Sequence, residues 1–464
     1  MKRKILLGFI SFCFSIVAFS ALTIEISAQS KKDLRKAEKL TAEGNKAFLA
    51  KNYQQAIQKY NEAISVAPTY ADARFWKGYA HYRLNEYDQA LNEFNLASQN
   101  NYNKPLDIHK LRWLLNYQKK NYDEALEDVQ KGLAAEPNNV TLLVALGDIN
   151  RSKNEYQNAL DAYKKAAQIN PPSGDVLYFI AESASKLGDA QEQGTAAAEA
   201  IKKGTKYVGE AYFLVADSLR KTGKMNEALE SYQQALASKD EIYDAYTSMA
   251  DIYRNQSRYK EAIEITIKGL RFFPDDAKLY TNLSRFYSLN NRHANAVQAA
   301  QAAIAIAPDQ SPAYTNLCRA YNDIKEYSLA INSCNKALQT APNDGETNFY
   351  LGFAYTSINN PTEAAKYYTK AVKGLEEFTA SKAKDPEGFY LLGNAYTSVK
   401  EYDKAVETYK KSLELSPRFA KARYNLASIY KFLKKDDLAR EQYNALIGLD
   451  ADLAAKLKEV LDKK

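Results

Sequence analysis

Ser311 to Asp344 reads SPAYTNLCRAYNDIKEYSLAINSCNKALQTAPND. In its first half Tyr314, Leu317, Cys318 and Tyr321 recur at three- and four-residue intervals, the spacing that gathers side chains on one face of a helix. Its second half does the same with Leu329, Ala330, Cys334, Ala337 and Leu338. Asn322 and Asp323 lie near the junction, and Pro342 ends the unit because proline cannot continue a helix. The stretch is therefore a helical hairpin of 34 residues. Neither helix can bury its apolar face alone, so a second hairpin must cover it.

The rest of the chain supplies those hairpins. Twelve windows of 34 residues align: 37–70, 71–104, 106–139, 140–173, 174–207, 209–242, 243–276, 277–310, 311–344, 345–378, 386–419 and 420–453. Three interruptions separate them: Pro105, Val208, and seven residues from Thr379 to Asp385. The twentieth place of a window is alanine in every case except Gln193 of the fifth, as close approach of two helices requires. The eighth place is small except at Trp113, and the twenty-seventh is small except at Leu446. Large residues fill the twenty-fourth in most windows, as Tyr60, Phe94, Tyr163, Tyr232, Tyr368, Tyr409 and Tyr443. Proline stands at the thirty-second in seven windows, among them Pro68, Pro137 and Pro417.

This set of small, large and proline places resembles the tetratricopeptide repeat over residues 37–453. The resemblance implies an all-α, right-handed superhelical solenoid of helix-turn-helix hairpins. The first helix of each window would line the inner groove and the second would face outward. In such a stack the core grows linearly and the last apolar face needs a polar-backed helix to cover it. The segment from Asp452 to Lys464, with Leu453, Leu457, Val460 and Leu461, is expected to be that cap, principally through 454–464. The insertion 379–385 is expected to lengthen the second helix of window ten and offset the stack.

Ahead of the repeats, Lys2-Arg3-Lys4 precedes an apolar run from Ile5 to Ile24, and Ser27-Ala28-Gln29 follows. This reads as a secretory signal, residues 1–28, cleaved after Ala28. The rival is an uncleaved anchor over residues 5–24, since about 20 apolar residues span a bilayer. Residues 29–36 form a charged lead-in. Export would place the chain outside the cytoplasmic membrane, periplasmic or secreted; membrane contact is expected only if the segment stays uncleaved.

Formal charge is +7. Removing residues 1–28 takes away three positive charges and one negative, leaving +5. The charges are interspersed, so no nucleic-acid partner is expected, which would need a clustered basic face. Basic pairs such as Lys119-Lys120 and Lys434-Lys435 fall where the two helices of a window join and are expected to be solvated turns. His81, His109 and His293 align with structural aromatics of other windows, and no metal-ligand spacing, nucleophile elbow or phosphate loop occurs. The expectation is a non-catalytic scaffold with no cofactor and no metal.

Function is then a matter of surface. The fifth, sixth, ninth and twelfth places of the first helices are expected to face the groove. Phe75, Trp76, Tyr79 and Tyr82 cluster there in window two, and Phe349, Tyr350 and Phe353 in window ten, with Tyr390 and Tyr424 beyond. They read either as packing between windows or as an aromatic floor for a ligand, tyrosine offering area at small entropic cost. Asn282, Asn316 and Asn425 hold the sixth place; an amide both donates and accepts, so one per hairpin could track an extended backbone. Arg285 and Arg319 hold the ninth place of windows eight and nine, after Asp148, Glu182, Asp217 and Asp251 in windows four to seven. The candidate groove site is therefore Asn282, Asn316, Asn425, Arg285, Arg319, Trp76 and Tyr79, for an extended, acidic segment of a protein or peptide. The competing reading is that the asparagines tie hairpins together and that the acids pair locally, three residues apart on one helix face: Asp148 with Arg151, Asp217 with Arg220 and Asp251 with Arg254. A chaperone-tail clamp is not expected: Asn45 and Asn394 hold its asparagine place, but Thr41 and Tyr390 replace its lysine. Two other functions remain open, a scaffold for polysaccharide export or binding and the regulatory arm of an enzyme on another chain.

Cys318 and Cys334 occupy the eighth and twenty-fourth places of window nine, one on each helix. They read either as a disulfide, which export favours, or as two small buried thiols.

Overall fold

The computed structural model describes residues 31–462. These form 25 helices and, among the described residues, no strand. The first helix covers 31–49, and most others are 12–14 residues long. None of them is long and apolar enough to cross a membrane. The chain divides into two compact units, unit 1 up to Lys206 and unit 2 from Tyr207. Both are all-α stacks of hairpins, the local construction of a helical solenoid.

One backbone feature keeps the phase of the whole array. The fifteenth residue of every window adopts the left-handed conformation: Lys51, Asn85, Lys120, Asn154, Gly188, Gly223, Ser257, Asn291, Lys325, Asn359, Lys400 and Lys434. A single left-handed residue reverses the chain between the two helices, and its amide bonds back into the last turn, as Lys51 N–H does to Phe48 C=O at 2.9 Å. The basic pairs at Lys119-Lys120 and Lys434-Lys435 are parts of these turns. The fifth window, weakest in sequence, turns at Gly188 like the rest.

The side chains explain the small and large places. All eleven twentieth-place alanines and Gln193 are buried, at most 4% exposed. The eighth and twenty-fourth places touch across the hairpin. A methyl group added at Gly44 would lie 2.5 Å from the ring of Tyr60; at Gly147, 2.4 Å from Tyr163; at Gly393, 2.6 Å from Tyr409. The glycine is thus a seat for the aromatic ring. The ninth place then holds the ring's hydroxyl: Tyr60 donates to Asn45 at 2.7 Å, Tyr163 to Asp148 at 2.6 Å, and Tyr409 to Asn394 at 2.6 Å. That link was not legible in the sequence, which paired Asp148 with Arg151 instead. Arg151 turns to the next window and donates to Glu182 at 3.0 Å. Local pairing does hold Asp217, by Arg220 at 2.5 Å and Lys221 at 2.9 Å.

Gly147 gives a prediction. Alanine is intrinsically the better helix former by roughly 0.5–1 kcal/mol. Here its methyl would strike a fully buried ring pinned by Asp148, an overpacking cost of about 1–3 kcal/mol. Gly147→Ala is expected to lower the urea midpoint. Gly448→Ala, where nothing lies within 4 Å, is the control and leaves it unchanged.

Two elements depart from the 34-residue period. The second helix of window ten, Pro361–Ser381, runs to 21 residues and absorbs the start of the insertion. The last helix, Ala451–Asp462, buries Ala454 and Leu457 against the end of the stack, with Leu446 beneath them.

Candidate functional site

Unit 2 holds most of the residues that the sequence places in a groove, Trp76 and Tyr79 lying in unit 1, and brings many of them together. The first helices of windows nine to twelve, Ser311–Asp323, Gly345–Ser357, Pro386–Ser398 and Ala420–Phe432, line a cavity of about 460 Å³. Its aromatic wall includes Tyr350, Phe353, Tyr390 and Tyr424. Tyr390 is braced by Phe419, with ring centroids 4.9 Å apart, and by Tyr409 at 6.2 Å. The polar wall is fixed by a short chain of bonds: Asn394 Oδ1 accepts from Tyr409 Oη at 2.6 Å and from Asn425 Nδ2 at 2.7 Å. Asn425 therefore sits in the cavity with its amide already oriented. Asn322 donates to the Tyr350 carbonyl at 3.0 Å, while its buried Oδ1 has no partner. Lys421 completes the lining; its ammonium reaches the Ser288 carbonyl at 3.4 Å. Burial, and then the positive charge of Arg319, push the Lys421 amine down to about 8. The cavity therefore offers flat apolar faces, preset amides and a poorly solvated cation.

The other predicted residues are engaged differently. Asn316 is 4% exposed and donates to the Thr281 carbonyl at 2.8 Å, tying window nine to window eight. That is the tie between hairpins rather than a contact held open for a ligand. Asn282 is half-buried. Arg285 and Arg319, expected to hold an acidic partner, hold acids of the chain itself. Arg285 donates to Glu387 at 2.9 Å and to Glu346 at 3.2 Å; Arg319 donates to Glu387 at 2.8 Å. Arg254 joins them, donating to Asp385 at 3.1 Å. Arg319 also lies over the Tyr350 ring, 5.6 Å from its centroid. Burial alone would raise the Glu387 carboxyl, but Arg285, Arg319 and Arg254 outweigh it and hold it well below the usual range. Burial raises Glu346, with Arg285 opposing. The physical reason for the revision is local charge balance: three guanidiniums on one inner face meet three carboxylates within reach. Glu346 and Glu387 are the second residues of windows ten and eleven, outside the fifth, sixth, ninth and twelfth places expected to face the groove.

In unit 1, Trp76 and Tyr79 remain half-buried and pack on Phe48 of window one. Tyr79 stacks on Phe48 at 5.3 Å and on Tyr82 at 6.0 Å, and Phe75 stacks on Tyr102 at 4.4 Å. These aromatics join windows one and two and still present part of their faces. His109 is a structural residue: its Nδ1–H donates to Asp128 at 2.8 Å. Cys318 and Cys334 are joined in a disulfide. The expected signal or anchor, 1–28, lies outside the described residues.

Comparison with known proteins agrees with this construction. Tetratricopeptide repeat families match at 47–112, 115–174, 213–277, 248–311, 311–344 and 420–453, and a TPR repeat family at 393–433. The matches at 311–344 and 420–453 have the bounds of windows nine and twelve. Over 135 residues the chain is 33% identical to small glutamine-rich tetratricopeptide repeat-containing protein 2 of Mycosarcoma maydis, covering 29% of this chain and 38% of that protein. Over 138 residues it is 28% identical to the Hsp70-Hsp90 organising protein of Plasmodium falciparum, covering 28% of this chain and 23% of that protein. The chain thus spans less than two fifths of the length of either relative. Among solved structures, the C-terminal part of a TPR repeat-containing protein from Cytophaga hutchinsonii aligns with a TM-score of 0.43 at 19% identity, covering 49% of this chain and 93% of that one. The repeated turn, the glycine-seated aromatic ring and the family matches lead to one statement: this chain belongs to the tetratricopeptide repeat proteins.

Proposed function

We propose that this protein is a non-catalytic scaffold for protein–protein interaction, and that it holds a segment of a partner in the cavity of windows nine to twelve. The observation that carries this reading is the cavity itself. Tyr350, Phe353, Tyr390 and Tyr424 give it apolar area, and Asn394 and Asn425 give it oriented amides. Pockets that combine apolar walls with a few placed polar groups are the usual form of a recognition site. The N-terminal pattern of residues 1–28 supports an exported protein that works in the cell envelope.

The test is site-specific photo-crosslinking in the native cell. A crosslinking residue at Tyr424 is expected to capture one protein partner, and one at exposed Lys410 on the second helix of window eleven is expected to capture none. Tyr424→Ala with Asn425→Ala should weaken capture at least tenfold with unchanged helical content. Adducts that carry polysaccharide would transfer the site to glycan binding, and equal capture from both positions would remove the groove from the mechanism. N-terminal sequencing of the mature protein checks the export reading, with Gln29 as the expected first residue.

A further inference from the structure

The arginine–carboxylate cluster in unit 2 joins windows that have no need to touch. In a solenoid each repeat is built by contact with its neighbours. Here Arg254 of window seven meets Asp385, just ahead of window eleven, 131 residues away. Arg285 of window eight and Arg319 of window nine meet Glu387 of window eleven across 102 and 68 residues. Two further polar contacts follow the same seam: Ser257 Oγ lies 3.2 Å from Ser416 Oγ, and the Lys421 ammonium of window twelve donates to the Ser288 carbonyl. The late windows of unit 2 thus lie against the inner face of its early ones. The contact is polar throughout these pairs. No hairpin depends on it, because every helix keeps its neighbours if the seam opens.

The acids sit where the fold can present them. Asp385 caps the first helix of window eleven, its Oδ1 accepting the Gly388 amide at 2.9 Å. Glu387 stands in the first turn of the same helix, where a negative charge is favoured. The seven-residue insertion places this helix start on the arginines. Its side chain is 3% exposed at Glu387 and 6% exposed at Arg319, so solvent and salt screen the pair weakly.

We propose that Asp385 and Glu387, with Glu346, are the chain's own ligand for the groove arginines: a clasp that closes unit 2 on itself and that an acidic segment of a partner opens by taking Arg254, Arg285 and Arg319. The occupant follows from charge complementarity, since a surface that binds three carboxylates in cis binds the same chemistry in trans. The clasp adjoins the cavity of windows nine to twelve, sharing Arg319 and Lys421 with its lining, but its test reads the seam distance and not capture of a segment in that cavity.

The experiment is a distance measurement across the seam. Lys260 and Lys410, both exposed, are replaced by cysteine and spin-labelled; the disulfide leaves Cys318 and Cys334 unreactive. The parent is expected to give one narrow distance distribution. Asp385→Asn with Glu387→Gln is expected to give a longer, broader one, with the open fraction raised at least tenfold and the helical circular dichroism unchanged. Hexaglutamate added to the parent should produce the same broadening, while hexalysine and sodium chloride at equal ionic strength should not. A disulfide between Ser257→Cys and Ser416→Cys, formed before the labels are introduced, should abolish the response to hexaglutamate. A parent distribution that ignores hexaglutamate overturns the proposal, and so does a neutralised variant that keeps the narrow distance. Should the neutralised variant lose its helices, the cluster is core rather than clasp, and the hexaglutamate response of the parent must then be absent.

Discussion

Asp128→Ala is expected to lower the stability of unit 1 by about 3–5 kcal/mol, the range for removing one partner from a buried ion pair. Asp128 is fully buried. Its Oδ2 accepts from Arg112 Nε at 2.9 Å, and its Oδ1 from Arg112 Nη2 at 2.7 Å and from His109 Nδ1 at 2.8 Å. Arg112 is also held by Asn95 of window two at 3.0 Å, so one carboxylate anchors the inner helix of window three to its own outer helix and to the window before. Removing it leaves a guanidinium and an imidazole with little solvent and no anion. Asp128→Asn keeps the shape and one acceptor and should cost less than alanine. Urea unfolding followed by circular dichroism measures both. If Asp128→Ala unfolds within 1 kcal/mol of the parent, by the scale of an exposed pair, the cluster contributes only as a surface bridge would.

The hairpin and its period were legible because they rest on short-range rules. Helical spacing marks which face is apolar, and the small twentieth place marks where helices touch. Even the contact of the eighth and twenty-fourth places could be read from Cys318 and Cys334 alone. The ninth-place partners were harder. Asp148 has Arg151 three residues away on its own helix, and only the packed hairpin shows that the Tyr163 hydroxyl lies closer. The clasp was beyond local rules altogether. Nothing at 385–387 announces which of the earlier windows its charges will meet, since that depends on the curvature accumulated over several repeats. The sequence suggested an acidic ligand for Arg285 and Arg319 but not that the same chain carries one.

Reduction of the Cys318–Cys334 disulfide is expected to destabilise unit 2 by roughly 3 kcal/mol, the chain-entropy value for a loop of this length. The bridge joins residues 16 apart and fastens the two helices of window nine at the pair of places where other windows seat an aromatic ring on glycine. Two effects are therefore in exchange at one position. A buried tyrosine or phenylalanine contributes about 1.5–3 kcal/mol by burial, close to what the covalent link gives. Window nine lacks the ring and has the bond. Cys318→Ser with Cys334→Ser should lose the bridge and gain nothing. Cys318→Gly with Cys334→Tyr restores the arrangement of windows four and eleven and should recover at least half of the loss. Equilibrium unfolding of the oxidised, reduced, serine and glycine–tyrosine proteins orders the four. A count of two free thiols in the denatured, non-reduced mature protein, which lacks Cys13, would remove the bridge. Equal stability of the serine and glycine–tyrosine pairs would show that the ring does not fit this window, whose neighbours have then adapted to sulfur.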